Sequence, residues 1–393
     1  MIAVFLNNKL ITCDSILPVM MEVHRRAPSR PIRFFCFELA TFDAIRQNVV
    51  LSDGIDRIGS LTLLGRRHRG PLSWLQHRLR VAGMLLPLLL RALVRRVVLI
   101  HFKALNEWPL RVLCLIHPRG TYYFQANAAG FSYLDDVVIA NLSRQRATDR
   151  VIPCGCRIVA FDPNWPELQW PELADRERLV CGTAHNGAAW LDFVTESADR
   201  YIAADFELNG VAPQDDIIVL ILSHIGRQTT GVDFMAHDDR LPEILAETLD
   251  ILDEEAPGVP VFLKPHVITD MALLRKILDA RCHMPLVITH LHPSALATRA
   301  RFFIANYYST TFGAIRQVNG VTIEYTDYAP AVLAATNGGS MRPDLVTHFI
   351  NNDPEALRQC IRRCLATPRR DFPAPRPPDA SGLIDRLCGI EGT

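Results

Sequence analysis

Between Asp216 and Tyr325 the sequence alternates continuous apolar runs with segments of helical period, and this alternation narrows the fold more than any other feature. Asp216-Ile-Ile-Val-Leu-Ile-Leu-Ser-His224 carries apolar side chains at successive positions, as a strand buried on both faces requires. A helical pattern with acidic residues on its polar side follows over 238–255, then a strand over 259–266 and a helix over 270–282. A strand over 286–290 and a short helix over 294–300 come next. Arg301–Asn306 and Val321–Tyr325 read as further strands, separated by a helix beginning near Thr310. Strands alternating with helices in this way predict βαβ units, a parallel sheet and a Rossmann-like domain.

The first half repeats the grammar less clearly. Segments 2–6, 31–37, 96–101 and 121–124 read as strands, with helical patterns at 14–26, 41–48, 72–95 and 104–115. The polar, Pro-containing stretch 207–216 reads as a linker. The expectation is an α/β protein of two Rossmann-like domains, 1–210 and 211–370, followed by a tail over 371–393. The Pro- and Arg-rich part, 367–380, is expected to be an irregular strap. Two such halves are expected to face a central cleft between the carboxyl ends of their sheets, where ligands of open α/β folds bind.

Composition excludes several classes. The 42 basic and 42 acidic side chains cancel, which removes the electrostatic attraction to phosphate backbones that a general nucleic-acid binder needs. Ten cysteines over 393 residues are too dilute for a disulfide scaffold. Met1–Leu6 lacks the basic segment of an export signal and suits a first buried strand, so a cytoplasmic location is expected. Cys154/Cys156 and Cys360/Cys364 have no matching second pair at zinc spacing and read as ordinary thiols. His290 and His292 read as two rings on one face of a solvated strand edge. The apolar run 81–90 is interrupted beyond its end by Arg91, Arg95 and Arg96, and falls short of the ~20 residues of a membrane span. Upstream, Arg66, Arg67, Arg69, Arg78 and Arg80 stand near Trp74 and Leu75. That mixture fits peripheral contact with an anionic lipid surface, or a core helix with a solvated Arg face.

In a parallel sheet the chemistry concentrates in loops after strand carboxyl ends. The loop 224–234 is long, polar and Gly-containing, and holds Asp233, a carboxylate suited to act as nucleophile or base or, alternatively, to cap the helix that follows. Lys264-Pro265-His266 sets a cation and an imidazole at a strand end, a combination fitted to a phosphate leaving group. Ser309, Thr310 and Thr311 stand between a strand and a helix, where hydroxyls and helix N–H groups together make a phosphate cradle. Neither GxxxxGK[ST] nor GxGxxG occurs, which disfavours ATP or NAD binding through those motifs. In the first half the loop 7–9, Glu38, and the stretch 125–136 with Asp135 and Asp136 are placed to meet an acceptor, with one of these carboxylates as proton acceptor.

A Gly-Val-Asp loop at 231–233, a Lys-Pro-His strand end at 264–266 and a Ser/Thr cluster at 309–311, in this order, resemble the retaining β-Kdo glycosyltransferases of bacterial polysaccharide assembly. More distantly the chain is similar to sialyltransferase-like and capsule enzymes that use CMP-activated sugars. The resemblance implies a GT-B-like fold with an N-terminal acceptor domain and a C-terminal donor domain. It implies a metal-independent enzyme, without other cofactor, that takes CMP-β-Kdo as donor and a glycan or lipid-linked glycan as acceptor in lipopolysaccharide O-antigen or capsule synthesis. Asp233 would then be the nucleophile of a double displacement, His266 and Lys264 would meet the nucleotide phosphate, and Ser309, Thr310 and Thr311 would receive it. The acceptor-activating base stays open among Glu38, Asp135 and Asp136.

Two departures stand out. Where many relatives carry an acidic pair followed by Gly, this chain reads Ala126-Asn127-Ala128-Ala129-Gly130, and where many read His-Pro, Pro265 here precedes His266. The competing readings are a sialyltransferase-like CMP-sugar transferase, a UDP-sugar epimerase of the same architecture, and a non-catalytic polysaccharide-binding module.

Overall fold

The computed structural model describes residues 1–7, 10–65, 71–102, 108–125, 156–161, 168, 174–223, 225, 235–237, 240–266, 269–280 and 284–389. The chain forms two compact units, one reaching to Phe193 and joined by the C-terminal segment from Pro375, the other running from Val194 to Ala374. The sequence reading sets the division at 210/211 instead.

The first unit is built on β1 (Ile2–Leu6), β2 (Ile32–Cys36), β3 (Gly59–Leu63), β4 (Val98–His101), β5 (Thr121–Phe124), β6 (Arg157–Ala160) and β7 (Arg178–Val180). These pair in parallel in the order β3-β2-β1-β4-β5-β6-β7. The connecting helices are α1 (Leu10–Arg26), α2 (Leu39–Gln47), α3 (Val49–Ile58), α4 (Pro71–Leu93) and α5 (Trp108–Ile116). Every residue of β1 is buried, because it is central and covered on both faces. The α3–β3 pair escapes the sequence reading because no loop separates helix from strand. Gly59 makes that junction feasible, since a Cβ there would lie 2.3 Å from the Ile32 carbonyl oxygen. On one face Phe5, Phe35, Leu85, Leu88, Leu99 and Leu113 form a dry cluster.

Helix α6 (Ala188–Asn209) carries the chain from the first unit into the second. The stretch 207–216 is therefore helical at its start, and the helix ends before Gly210, whose φ of +66° suits the residue after a helix. The Val211 amide donates 3.0 Å back to the Phe206 carbonyl, the bond that closes such an end.

The second unit contains β8 (Ile217–Ile221), α7 (Arg240–Glu255), β9 (Val261–Lys264), α8 (Met271–Asp279), β10 (Leu286–Ile288) and α9 (Pro293–Leu296). These are followed by β11 (Ala300–Ala305), α10 (Phe312–Gln317), β12 (Thr322–Thr326), α11 (Pro330–Ala335), β13 (His348–Asn351) and α12 (Pro354–Ala366). The sheet is parallel, in the order β10-β9-β8-β11-β12-β13. Leu220, Leu245, Leu249, Leu263, Phe302, Ile304 and Leu357 belong to its core. Both sheets follow the doubly wound plan, in which the chain works outward from a central strand, returns, and continues on the other side. The two Rossmann-like units make the α/β, GT-B-like architecture read from the sequence.

One local reading changes. His292 is not on a strand face: it is buried, and its Nδ1 accepts from the Ser294 amide at 3.1 Å, capping α9. Residues 368–378 have no regular structure, and α13 (Ser381–Cys388) then buries Leu383, Ile384 and Leu387 while Arg26 of α1 pairs with Asp385.

Candidate functional site

In an open parallel sheet, the crevice lies where neighbouring strands send their chains in opposite directions. In the second unit that point falls between β8 and β11. The loop after β8 and the loop after β11 therefore flank it, and the end of β9 lies one strand away.

The loop after β8 is fixed at both ends. At its start the Leu222 amide donates to the Lys264 carbonyl at 3.0 Å, and Thr269 Oγ1 donates to the Ser223 carbonyl at 3.0 Å. At its exit Met235 forms an antiparallel bridge with Tyr328, and the Ala236 amide donates to the Asp327 carbonyl at 2.9 Å. Asp233 lies two positions before this anchored residue and is outside the described residues.

The loop after β11 is held by its first residues. Asn306 Nδ2 donates to Thr248 Oγ1 at 2.8 Å and to the Tyr325 carbonyl at 3.2 Å. The Tyr308 amide donates to Tyr328 Oη at 3.0 Å, Tyr328 Oη donates to Glu324 Oε1 at 2.7 Å, and Ser340 Oγ donates to Glu324 Oε2 at 2.8 Å. Burial pushes the Glu324 carboxyl up to about 7, against the opposing pull of these two hydroxyl donors. This chain of bonds was not read from the sequence, although a lone carboxylate inside Val321–Tyr325 was its signal.

Beyond Tyr308, Ser309, Thr310 and Thr311 are half-buried, and among the described residues none of their hydroxyls has a hydrogen-bond partner. The backbone departs from the expected cradle. The Phe312 and Gly313 amides already donate to the Ser309 and Thr310 carbonyls, each at 3.1 Å. What this loop presents is therefore hydroxyls rather than the amides of those two residues.

At the β9 end, Lys264 Nζ donates to the Leu291 carbonyl at 2.8 Å. Its charge is felt on that side: Asp205 is raised by burial and partly restored by Thr289 and Lys264, while burial and then Lys264 lower His290. His266 is exposed at the same strand end, its carbonyl accepting from the Thr269 amide at 2.9 Å. Lys264 and His266 thus both stand at the carboxyl end of β9, Lys264 half-buried and His266 exposed.

In the first unit the corresponding point lies between β1 and β4. Asn7 is buried beside it, and Glu38 follows β2 as the half-buried residue before α2, with no side-chain cap bond to that helix. The pair Asp14 and His185 was missed, because 171 positions separate them. His185 Nε2 lies 3.2 Å from Asp14 Oδ1 on α1, and Nδ1 lies 3.1 Å from Thr183 Oγ1, fixing the ring at both nitrogens. Asn8, Lys9, 126–130, Asp135, Asp136, Arg66, Arg67 and Arg69 lie outside the described residues.

Helix α4 has two apolar sides. Leu85, Leu88 and Ala92 are buried, whereas Leu72, Leu75, Leu79, Leu86, Leu90 and Leu93 are exposed and recur at helical spacing as one stripe. Arg78 stacks over Trp74, 4.0 Å from the ring centroid. No helix among the described residues is long and apolar enough to cross a membrane.

No protein-family model matches the sequence, and no curated protein matches it. Solved structures do match in fold. A UDP-GlcNAc 2-epimerase from Neisseria meningitidis, bound to UDP-GlcNAc, superposes with a TM-score of 0.53 at 9% identity, over 100% of this chain and 95% of its own. The UDP-N-acetylglucosamine 2-epimerase of Rickettsia bellii gives 0.52 at 8% identity, over 99% and 94%. A glycosyltransferase from Rickettsia africae ESF-5 gives 0.48 at 10% identity, over 93% and 88%.

Proposed function

We propose that the chain is a retaining glycosyltransferase that moves β-Kdo from CMP-β-Kdo to a glycan or lipid-linked glycan of a bacterial surface polysaccharide, lipopolysaccharide O-antigen or capsule. The observation that carries this reading is the β8/β11 crevice, where the end of β11 presents three hydroxyls with no partner among the described residues, beside the strand from which the Gly-Val-Asp segment follows in the sequence. A donor phosphate at that point accepts from Ser309, Thr310 and Thr311, with His266 as a further donor and the Lys264 charge behind it. No metal or other cofactor takes part in this scheme.

Asp233 attacks the anomeric carbon, the bond to the CMP phosphate oxygen breaks, and CMP leaves with the electron pair. The acceptor hydroxyl then displaces the Asp233 carboxylate and gives up its proton to a general base. Two inversions at one carbon give net retention. The order of the 231–233, 264–266 and 309–311 motifs supports Kdo as the sugar.

A lipid-linked acceptor gives the exposed α4 stripe a purpose. Between Asp56 and Glu107 the sequence has no acidic residue, while Arg78, Arg80, Arg91, Arg95 and Arg96 all fall there. Exposed leucines within such a cationic stretch fit peripheral binding to an anionic membrane surface.

A second reading, a UDP-sugar epimerase, is favoured by the two epimerase folds. The products separate the readings. Incubation with CMP-Kdo and an acceptor glycan yields CMP and a β-linked Kdo product in the first case; release of an epimerised UDP-sugar with no transfer product establishes the second.

A further inference from the structure

We propose that His348, Cys360 and Cys364 bind one thiophilic divalent cation of the zinc class. Each offers one ligand atom, and these atoms all lie within 4.8 Å of one another. Cys360 and Cys364 are one turn apart on α12, so both sulfurs project from the same face. His348 opens β13, against which α12 packs, and supplies the ligand that the cysteine spacing lacks. The sequence reading treated the two cysteines as ordinary thiols because the imidazole comes from another element.

The donor set chooses the ion. Two thiolates and an imidazole suit a soft or borderline cation and disfavour Mg²⁺ or Ca²⁺, which take oxygen. Binding releases the two thiol protons to solvent, so two negative sulfurs balance a dication. Cys360 is buried, whereas Cys364 and His348 are half-buried, so solvent reaches two of the three ligands and water can serve as the fourth.

The location assigns the ion a structural role. His348 is at the amino-terminal end of its strand, whereas the β8 and β11 loops of the crevice leave the carboxyl ends of the same parallel sheet. The ion would tie β13 to the last turns of α12, where Arg301 already holds the Cys364 and Leu365 carbonyls at 3.2 and 2.6 Å. It thus secures the end of α12, from which the chain enters the irregular strap, and the proposal is independent of the identity of the sugar donor.

The test is equilibrium dialysis of the untagged, chelator-treated full chain against Zn²⁺, with a competing chelator to set the affinity, and thermal unfolding of each sample. The expected result is one ion per chain and a higher melting temperature with Zn²⁺. Cys364→Ser and His348→Ala should each weaken binding by more than about tenfold, the floor set by loss of a hydrogen-bond partner to a metal ligand. Both residues are half-buried, so metal-free melting temperatures should stay close to that of the parent, and Cys388→Ser should leave binding unchanged. With Cd²⁺ as probe, sulfur-to-metal charge-transfer absorption should appear in the parent and fade in Cys364→Ser. Absence of stoichiometric Zn²⁺, or equal binding in the Cys364 and His348 variants, overturns the proposal.

Discussion

Tyr328 Oη donates to Glu324 Oε1 across 2.7 Å, and both residues are sealed from solvent. The same phenol oxygen accepts from the Tyr308 amide, so one hydroxyl links a buried acid in β12 to the loop that carries Ser309, Thr310 and Thr311. Tyr328→Phe should destabilise the fold by roughly 1–3 kcal/mol, because it strips a donor from a buried carboxyl and an acceptor from a backbone amide. It should also weaken nucleotide binding through the loosened loop. Urea unfolding and calorimetric titration with nucleotide measure the two effects separately.

Glu324 also gives stability a pH dependence. Its carboxyl is raised from 4.5 to about 7, so the native state holds the proton more tightly than the unfolded chain does. The stabilisation is complete below about 4.5 and is lost as pH rises through about 7, a decline of order 3 kcal/mol. Urea midpoints from pH 4.5 to 8 should fall through this window in the parent, and Glu324→Gln should flatten that part of the curve.

Asp233→Asn should abolish transfer while leaving CMP affinity nearly intact, because only the attacking oxygen is removed. Intact-mass spectrometry of the parent, quenched with CMP-Kdo and no acceptor, should show a sugar adduct that the variant lacks. Turnover retained by Asp233→Asn would sink the double displacement.

His266 is exposed, so His266→Ala should cost less than about 0.5 kcal/mol of stability while lowering CMP affinity by the roughly tenfold of one charge-assisted contact. Unchanged affinity by titration calorimetry would remove His266 from the phosphate site.

The α4 stripe should govern vesicle binding. Replacing Leu72, Leu79, Leu86 and Leu90 with Gln should abolish sedimentation with phosphatidylglycerol vesicles and leave the melting temperature unchanged, since these side chains are more than half exposed. Binding by the parent should weaken with added salt, as the Arg component is screened. Equal sedimentation of parent and variant would show that the stripe does not meet lipid.

The second unit was legible because its strands are buried on both faces and so read as apolar runs, Ile217–Ile221 most plainly. The first unit was harder. Its seventh strand, Arg178–Val180, is three residues long with no fully buried member, and α3 runs into β3 without a turn signal. Loop positions followed from strand ends, which is why Glu38, Lys264, His266 and Ser309 to Thr311 were found at sheet edges. What spacing could not convey is where a side chain turns. Lys264 bonds to the Leu291 carbonyl, His292 caps a helix, and His348 meets Cys360 and Cys364 only through the packing of β13 on α12.

The central claim, a CMP-sugar site in the β8/β11 crevice, is tested most directly by thermal unfolding with CMP, UDP or buffer, all in EDTA. At a hundred times its dissociation constant a ligand stabilises the fold by about 2.7 kcal/mol. The account predicts a rise in melting temperature with CMP and none with UDP. No response to CMP, or a rise with UDP alone, would contradict it, and the latter would identify a UDP-sugar enzyme.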